Sequence, residues 1–176
     1  MYEEKTIESN DIYKGKIISL KVDKVLLSNG NESTREIVTH LGASAIVALK
    51  GNNIIFVKQY RKPIEKHIIE IPAGKLDINE KPKDCAKREL QEETGYIAED
   101  IIELGHIFTT PGFSNEIIHI FFSKNLTIGV INRDPDEFMD VIEIPLEDVK
   151  KMVLSNEIKD SKTLSALLMA LQYLNI

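Results

Sequence analysis

The sequence predicts an α+β domain, a mixed β-sheet with helices packed on its faces. Short runs of apolar–polar alternation recur along the chain, separated by turn residues. These runs outnumber the helical segments and pair up as hairpins. The chain closes on SKTLSALLMALQYL, which has the apolar spacing of an amphipathic helix. The 176 residues carry no internal repeat, no low-complexity tract and no Pro/Ser-rich linker. They suffice for one domain with a real core.

In chain order, IISLKVDKVLLSNG alternates and ends in the turn pair Asn29–Gly30, and TREIVTHL resumes the pattern as the second arm of a hairpin. ASAIVAL and NIIFVKQYR flank Gly51-Asn52-Asn53, a second hairpin signal. IIEIPAG reads as a short strand entering a Pro/Gly loop. Pro82 suits the first turn of a helix and Gly95 its end, with Ala86, Leu90 and Ile97 near one face. IIELGHIFTT and NEIIHIFFSKNL read as strands around the loop PGFSNE. FMDVIEIPL is a further strand and LEDVKKMVLS a helix.

Composition excludes some functions. Net charge is −6 with no basic block, so neither nucleic acid nor an anionic membrane is expected as the main partner. A small anionic substrate stays open, because a bound metal can reverse the local field. The single cysteine, Cys85, allows no internal disulfide and suits a reducing, cytoplasmic setting. It falls near the apolar side of its helix and reads as packing. The acidic start MYEEKTIESND has no signal-peptide core, and no apolar run approaches the ~20 residues of a membrane helix.

The chemistry concentrates in GKLDINEKPKDCAKRELQEETGY. Glu89 and Glu93 lie about 40° apart on a helical wheel, with Glu92 about 60° to the other side of Glu89. Like charges at this spacing repel, and acids in the last turns oppose the helix dipole. Hard divalent cations take oxygen ligands, and Mg²⁺ is held by a few carboxylates plus substrate phosphates. A bound Mg²⁺ removes both objections; a solvated acidic face is the plain alternative.

The pattern Gly74, Glu80 and Arg88-Glu89-Leu90-Gln91-Glu92-Glu93-Thr94-Gly95-Tyr96 resembles the complete Nudix box over its 23 residues. The resemblance implies an α/β/α sandwich with a mixed sheet and Mg²⁺- or Mn²⁺-dependent hydrolysis of nucleoside diphosphate derivatives. It implies Glu89, Glu93 and the carbonyl of Ala73 as metal ligands, Glu92 as a further catalytic or ligating carboxylate, and Arg88 as their orienting cation. Pro111, sixteen residues past Gly95, and the segments VKQYRKP and IEIPAGK resemble the ADP-ribose pyrophosphatase subfamily. On that resemblance Arg61 and Glu70 contact substrate, and the products are AMP and ribose 5-phosphate. Residues 1–40 resemble an N-terminal β region exchanged between the subunits of a homodimer, leaving 41–176 as the hydrolase domain and Arg35 as a contact to the substrate's diphosphate or terminal ribose. Glu137, in RDPDEFMDV, resembles the position whose carboxylate joins the metal site or takes the proton. Glu116, in PGFSNE, is a second candidate, expected rather at the substrate. A Nudix enzyme for another nucleoside diphosphate derivative is the alternative within the class, and a silent nucleotide-binding module the alternative outside it. The intact carboxylates argue against the silent module.

Overall fold

A computed structural model describes residues 2–176. The chain forms two compact units. The first runs up to Gly42 and adds Phe108–Ile117. It contains β1 (Lys5–Lys14), β2 (Ser19–Leu26) and β3 (Glu32–Thr39), an antiparallel sheet in that order. β2 and β3 are the hairpin turned at Asn29–Gly30, where Gly30 takes φ 85°. β1 is a strand that the sequence reading does not assign. All ten of its residues are exposed, so no buried face imposes an alternating pattern. Its backbone pairing with β2 is joined by polar bonds: Ser9 Oγ and Thr6 Oγ1 donate to the buried Asp23 carboxylate of β2 at 2.6 and 3.4 Å. The PGFSNE segment joins the same unit through Val38 N–H, which donates to Phe113 O at 2.8 Å.

The second unit takes Ala43–Ile107 and Ile118–Ile176. Its order is β4 (Ala43–Lys50), β5 (Asn53–Arg61), β6 (Lys66–Glu70), β7 (Ala73–Lys75), α1 (Pro82–Thr94), β8 (Tyr96–Ala98), β9 (Ile102–Phe108), β10 (Ile117–Ser123), β11 (Leu126–Ile128), β12 (Met139–Pro145), α2 (Leu146–Leu154) and α3 (Ser161–Tyr173). The main sheet runs β12-β5-β4-β10-β9, with β6 paired to β5 and β7 to β4. It is mixed: β4 and β10 are parallel, while β4–β5 and β5–β12 are antiparallel. β4 is buried from Ala43 to Ala48, as the unbroken apolar run of a strand covered on both faces requires.

Alternate residues of β4 and β5 feed two cores. Ala45, Val47, Ile54 and Phe56 pack with Val149, Ala166 and Leu167 of α2 and α3. Ile46, Ala48 and Ile55 pack with Ala86 and Leu90 of α1. This unit is therefore the expected α/β/α sandwich. Ile97, expected on the apolar face of α1, lies past the helix in β8, because Gly95 at φ 76° has already ended it. Among the described residues no helix is long and apolar enough to cross a membrane.

The sheet splits at one point. β4 pairs with β5 only at Ala48–Lys50, and with β7 at Ala43–Ala45. Beyond the divergence β5 takes β6 as its neighbour instead. Ile46 N–H bridges the gap to Pro72 O at 3.0 Å. Glu70 and Ala73, at the ends of β6 and β7, are thereby held at the fork.

Candidate active site

Helix α1 begins with Pro82 at its first turn and ends at Gly95, whose N–H donates to Gln91 O at 2.8 Å. Its apolar stripe of Ala86 and Leu90 faces the sheet, which carries Glu89 and Glu93 inward as well. They are 8% and 3% exposed, while Glu92 is half-buried. A Cβ on Gly74 would overlap the Glu89 carboxylate, so glycine here leaves the space that the carboxylate occupies. Ala73 N–H donates to Glu93 Oε2 at 3.2 Å.

Arg88 answers most of the charge problem posed by the sequence. Its Nε and Nη2 grip Glu80 at 2.8 and 2.9 Å. Its Nη1 donates to Glu89 Oε1 at 2.6 Å and Glu92 Oε2 at 2.9 Å. The guanidinium holds Glu80 down at a pKa of about 2. Glu93 has no such partner and makes no ion pair among the described residues. Burial, then the neighbouring Glu89 charge, pushes it up to about 8. Burial likewise lifts Glu89 to about 6, against the pull of Arg88.

No three such side chains among the described residues already converge as a metal cage. The reason is visible: Arg88 draws Glu89 and Glu92 onto itself. The donors still fit a hard divalent cation, being oxygen-only, one helical turn apart and, at Glu93, without a direct ion pair among the described residues.

Glu137 sits in an exposed turn closed by its N–H to Asp134 O at 3.0 Å. Its charge contributes to raising both Glu89 and Glu93, which places it within electrostatic reach of them. Arg61 Nε and Nη2 bind the two oxygens of the buried Glu70 at 2.6 and 2.8 Å. Lys162 Nζ donates to the same carboxylate and to Asp160 Oδ2. Glu70 is thus fully engaged as the anchor of Arg61.

Arg35 and Glu116 belong to the first unit. Arg35 clasps Glu4 through Nε and Nη2 and donates to Ser33 Oγ and Thr34 O through Nη1. Glu116 accepts from Thr109 Oγ1 at 2.7 Å, and its other oxygen lies 3.5 Å from His40 Nδ1. Glu116 and His40 line a shallow cavity of about 270 Å³ together with Ile17, Ile18, Val38 and Phe113; Arg35 is not among its lining residues.

Sequence reasoning missed Lys162 and Arg133. Lys162 follows the helix-capping Asp160, a signal for a helix start but not for a cation. Arg133 is a lone arginine in an acidic loop, where nothing in the spacing marks it.

The comparisons agree with this architecture. The NUDIX domain pattern matches residues 38–167, and the nucleoside diphosphate sugar hydrolase N-terminal domain matches residues 4–38. The chain belongs to the Nudix family of hydrolases. It is 48% identical to an ADP-ribose pyrophosphatase of Bacillus subtilis (strain 168), over 99% of this chain and 94% of that protein. It is 46% identical to a methanol dehydrogenase activator of Bacillus methanolicus, over 100% and 95%. The fold matches a crystal structure of an ADP compounds hydrolase with a TM-score of 0.88 at 19% identity, covering 98% of this chain and 95% of that one.

Proposed function

We propose that the protein hydrolyses the diphosphate of ADP-ribose to AMP and ribose 5-phosphate. The observation that carries the catalytic reading is the buried Glu89–Glu93 pair, seated against the glycine turn, with Glu93 in no ion pair among the described residues. The substrate rests on full-length similarity to a protein named for that activity. Glu89, Glu93 and the Ala73 carbonyl hold the metal, with Glu92 as an added carboxylate. When bound, Mg²⁺ (or Mn²⁺) supplies Lewis-acid neutralisation of the diphosphate.

The chain's own groups do the rest. Arg88 keeps Glu89 and Glu92 on one side of α1. Arg61, braced by Glu70, offers its free edge to a phosphate or ribose oxygen, and Arg35, on the N-terminal region exchanged with a second copy, contacts that copy's substrate at the diphosphate or terminal ribose. Glu116 contacts the substrate. Water attacks one phosphorus, Glu137 takes the proton, and the bond to the bridging oxygen breaks. The setting is the cytoplasm and the working form a homodimer, in which the exposed Tyr13, Ile17, Leu41 and Phe113 of the first unit are covered by a second copy.

A second reading has its own observation: a relative almost as similar is named for activating a dehydrogenase. On that reading the diphosphate belongs to another nucleoside diphosphate derivative. A panel of ADP-ribose, other nucleoside diphosphate sugars, a dinucleotide and nucleoside triphosphates decides, with chromatographic separation of the nucleotide products as the readout. ADP-ribose should be turned over fastest. Faster hydrolysis of a triphosphate overturns the substrate and leaves the family untouched.

A further inference from the structure

We infer that Arg133 is a positioning residue that fastens the loop bearing Glu137 to the end of α1. The inference rests on the role proposed for Glu137. Residues 129–138 link β11 to β12 without regular structure, and from 131 to 138 Arg133 is the one residue that is not exposed. Its Nε and Nη2 donate to the carbonyl of Glu93 at 2.9 and 2.7 Å, and its Nη1 donates to the carbonyl of Met139 at 2.7 Å. One guanidinium therefore ties the last turn of α1 to the first residue of β12, across the loop.

Two backbone bonds run beside it. Gly129 N–H donates to Gly95 O at 2.7 Å and Asn132 N–H to Glu92 O at 3.1 Å. The loop thus supplies donors to carbonyls that the helix end leaves without intrahelical partners. α1 has no basic residue in its own last turn, so Arg133 also brings a cation to the negative end of the dipole.

The consequence is geometric. The anchored carbonyl and the buried carboxylate belong to the same residue, Glu93. Glu137 lies four positions beyond the anchor, in a turn closed on Asp134. Fixing Arg133 against Glu93 O fixes where that turn can reach. Arg61 and Glu70 are held by a separate network through Lys162. Releasing the loop should therefore slow turnover and leave ground-state binding nearly unchanged. Lysine cannot replace the arginine, because a point charge cannot address two carbonyls in fixed directions.

The test is a double-mutant cycle on the full chain with Mg²⁺ and ADP-ribose, using R133K, E137Q and the combination. R133K should lower kcat about ten- to a hundred-fold, within the range a misplaced proton acceptor costs. KM should stay within about twofold. In the E137Q background the R133K change should cost little further, because the carboxylate it positions is gone. R133A, should it fold, should regain part of its kcat with added guanidinium ion. Losses that multiply, or R133K with parental kcat beside a slow E137Q, overturn the role of Arg133 alone. Parental kcat in E137Q overturns the role of Glu137, and the inference falls with it.

Discussion

Glu93 brings a carboxyl group to 3% exposure with one backbone N–H for a partner. Its pKa rises from an ordinary 4.5 to about 8, first through burial. The sign of the linkage follows. Between these values the folded protein keeps a proton that the unfolded chain has released. Stability from this group is full below about pH 4.5 and is lost as pH rises through 8. The parent in EDTA should melt several degrees lower at pH 8.5 than at pH 5.5, on the order of a few kcal/mol at 2–4 °C each. Glu93→Gln should flatten that decline, abolish hydrolysis and melt no lower than the parent at pH 8.5. A mutant that melts lower there marks the carboxylate as a structural partner. Gly74→Ala tests the same corner from the other side. Its added methyl claims the place of the Glu89 carboxylate, so turnover should fall roughly a hundred-fold, the cost of a misplacement near 1 Å.

Helix α3 is pinned by its first turn. Asp160 accepts from Thr163 N–H at 2.9 Å and Thr163 Oγ1 at 2.6 Å, and Thr163 Oγ1 accepts from Ile71 N–H at 3.0 Å. Thr163→Val orphans a buried donor and should cost about 1–3 kcal/mol in urea unfolding. An unchanged midpoint would mean that Ile71 finds another acceptor. The helices, the two hairpins and the box were legible in the sequence because each carries a period or a stop: Pro82 and Gly95 for α1, Asn29–Gly30 for the first hairpin. β1 was illegible because both its faces are wet. Two cations of the site, Lys162 and Arg133, were illegible for a different reason. Arg88 is adjacent in sequence to its carboxylates and was named, whereas Lys162 reaches Glu70 across 92 positions and Arg133 reaches Glu93 across 40. No local pattern encodes contacts made only once the sheet has split and the loop has closed on α1.

At the scale of the whole molecule, the exposed Tyr13, Ile17, Leu41 and Phe113 should make the protein a dimer at micromolar concentration. Sedimentation of the full chain, and of a chain lacking residues 1–40, measures this. A monomeric full chain removes the second copy from the site. Metal should stabilise the molecule by linkage, about 2.7 kcal/mol at a hundredfold excess over its dissociation constant. For a domain of this size that is about 5–10 °C in Tm. Glu93→Gln should show little of that gain.

Cys85 gives the molecule a built-in chemical reporter. Its Sγ lies 3.6 and 3.5 Å from the carbonyls of Gly74 and Lys75 and 3.5 Å from Arg88 Nη2, and burial pushes the thiol up to about 12. As the single cysteine, it gives any labelling signal one origin. The thiol is fully buried, so an aromatic disulfide reagent can reach it only when the seam packed around it opens. The labelling rate therefore counts openings of that seam, one thiol per chain, with no dye or tag to disturb it.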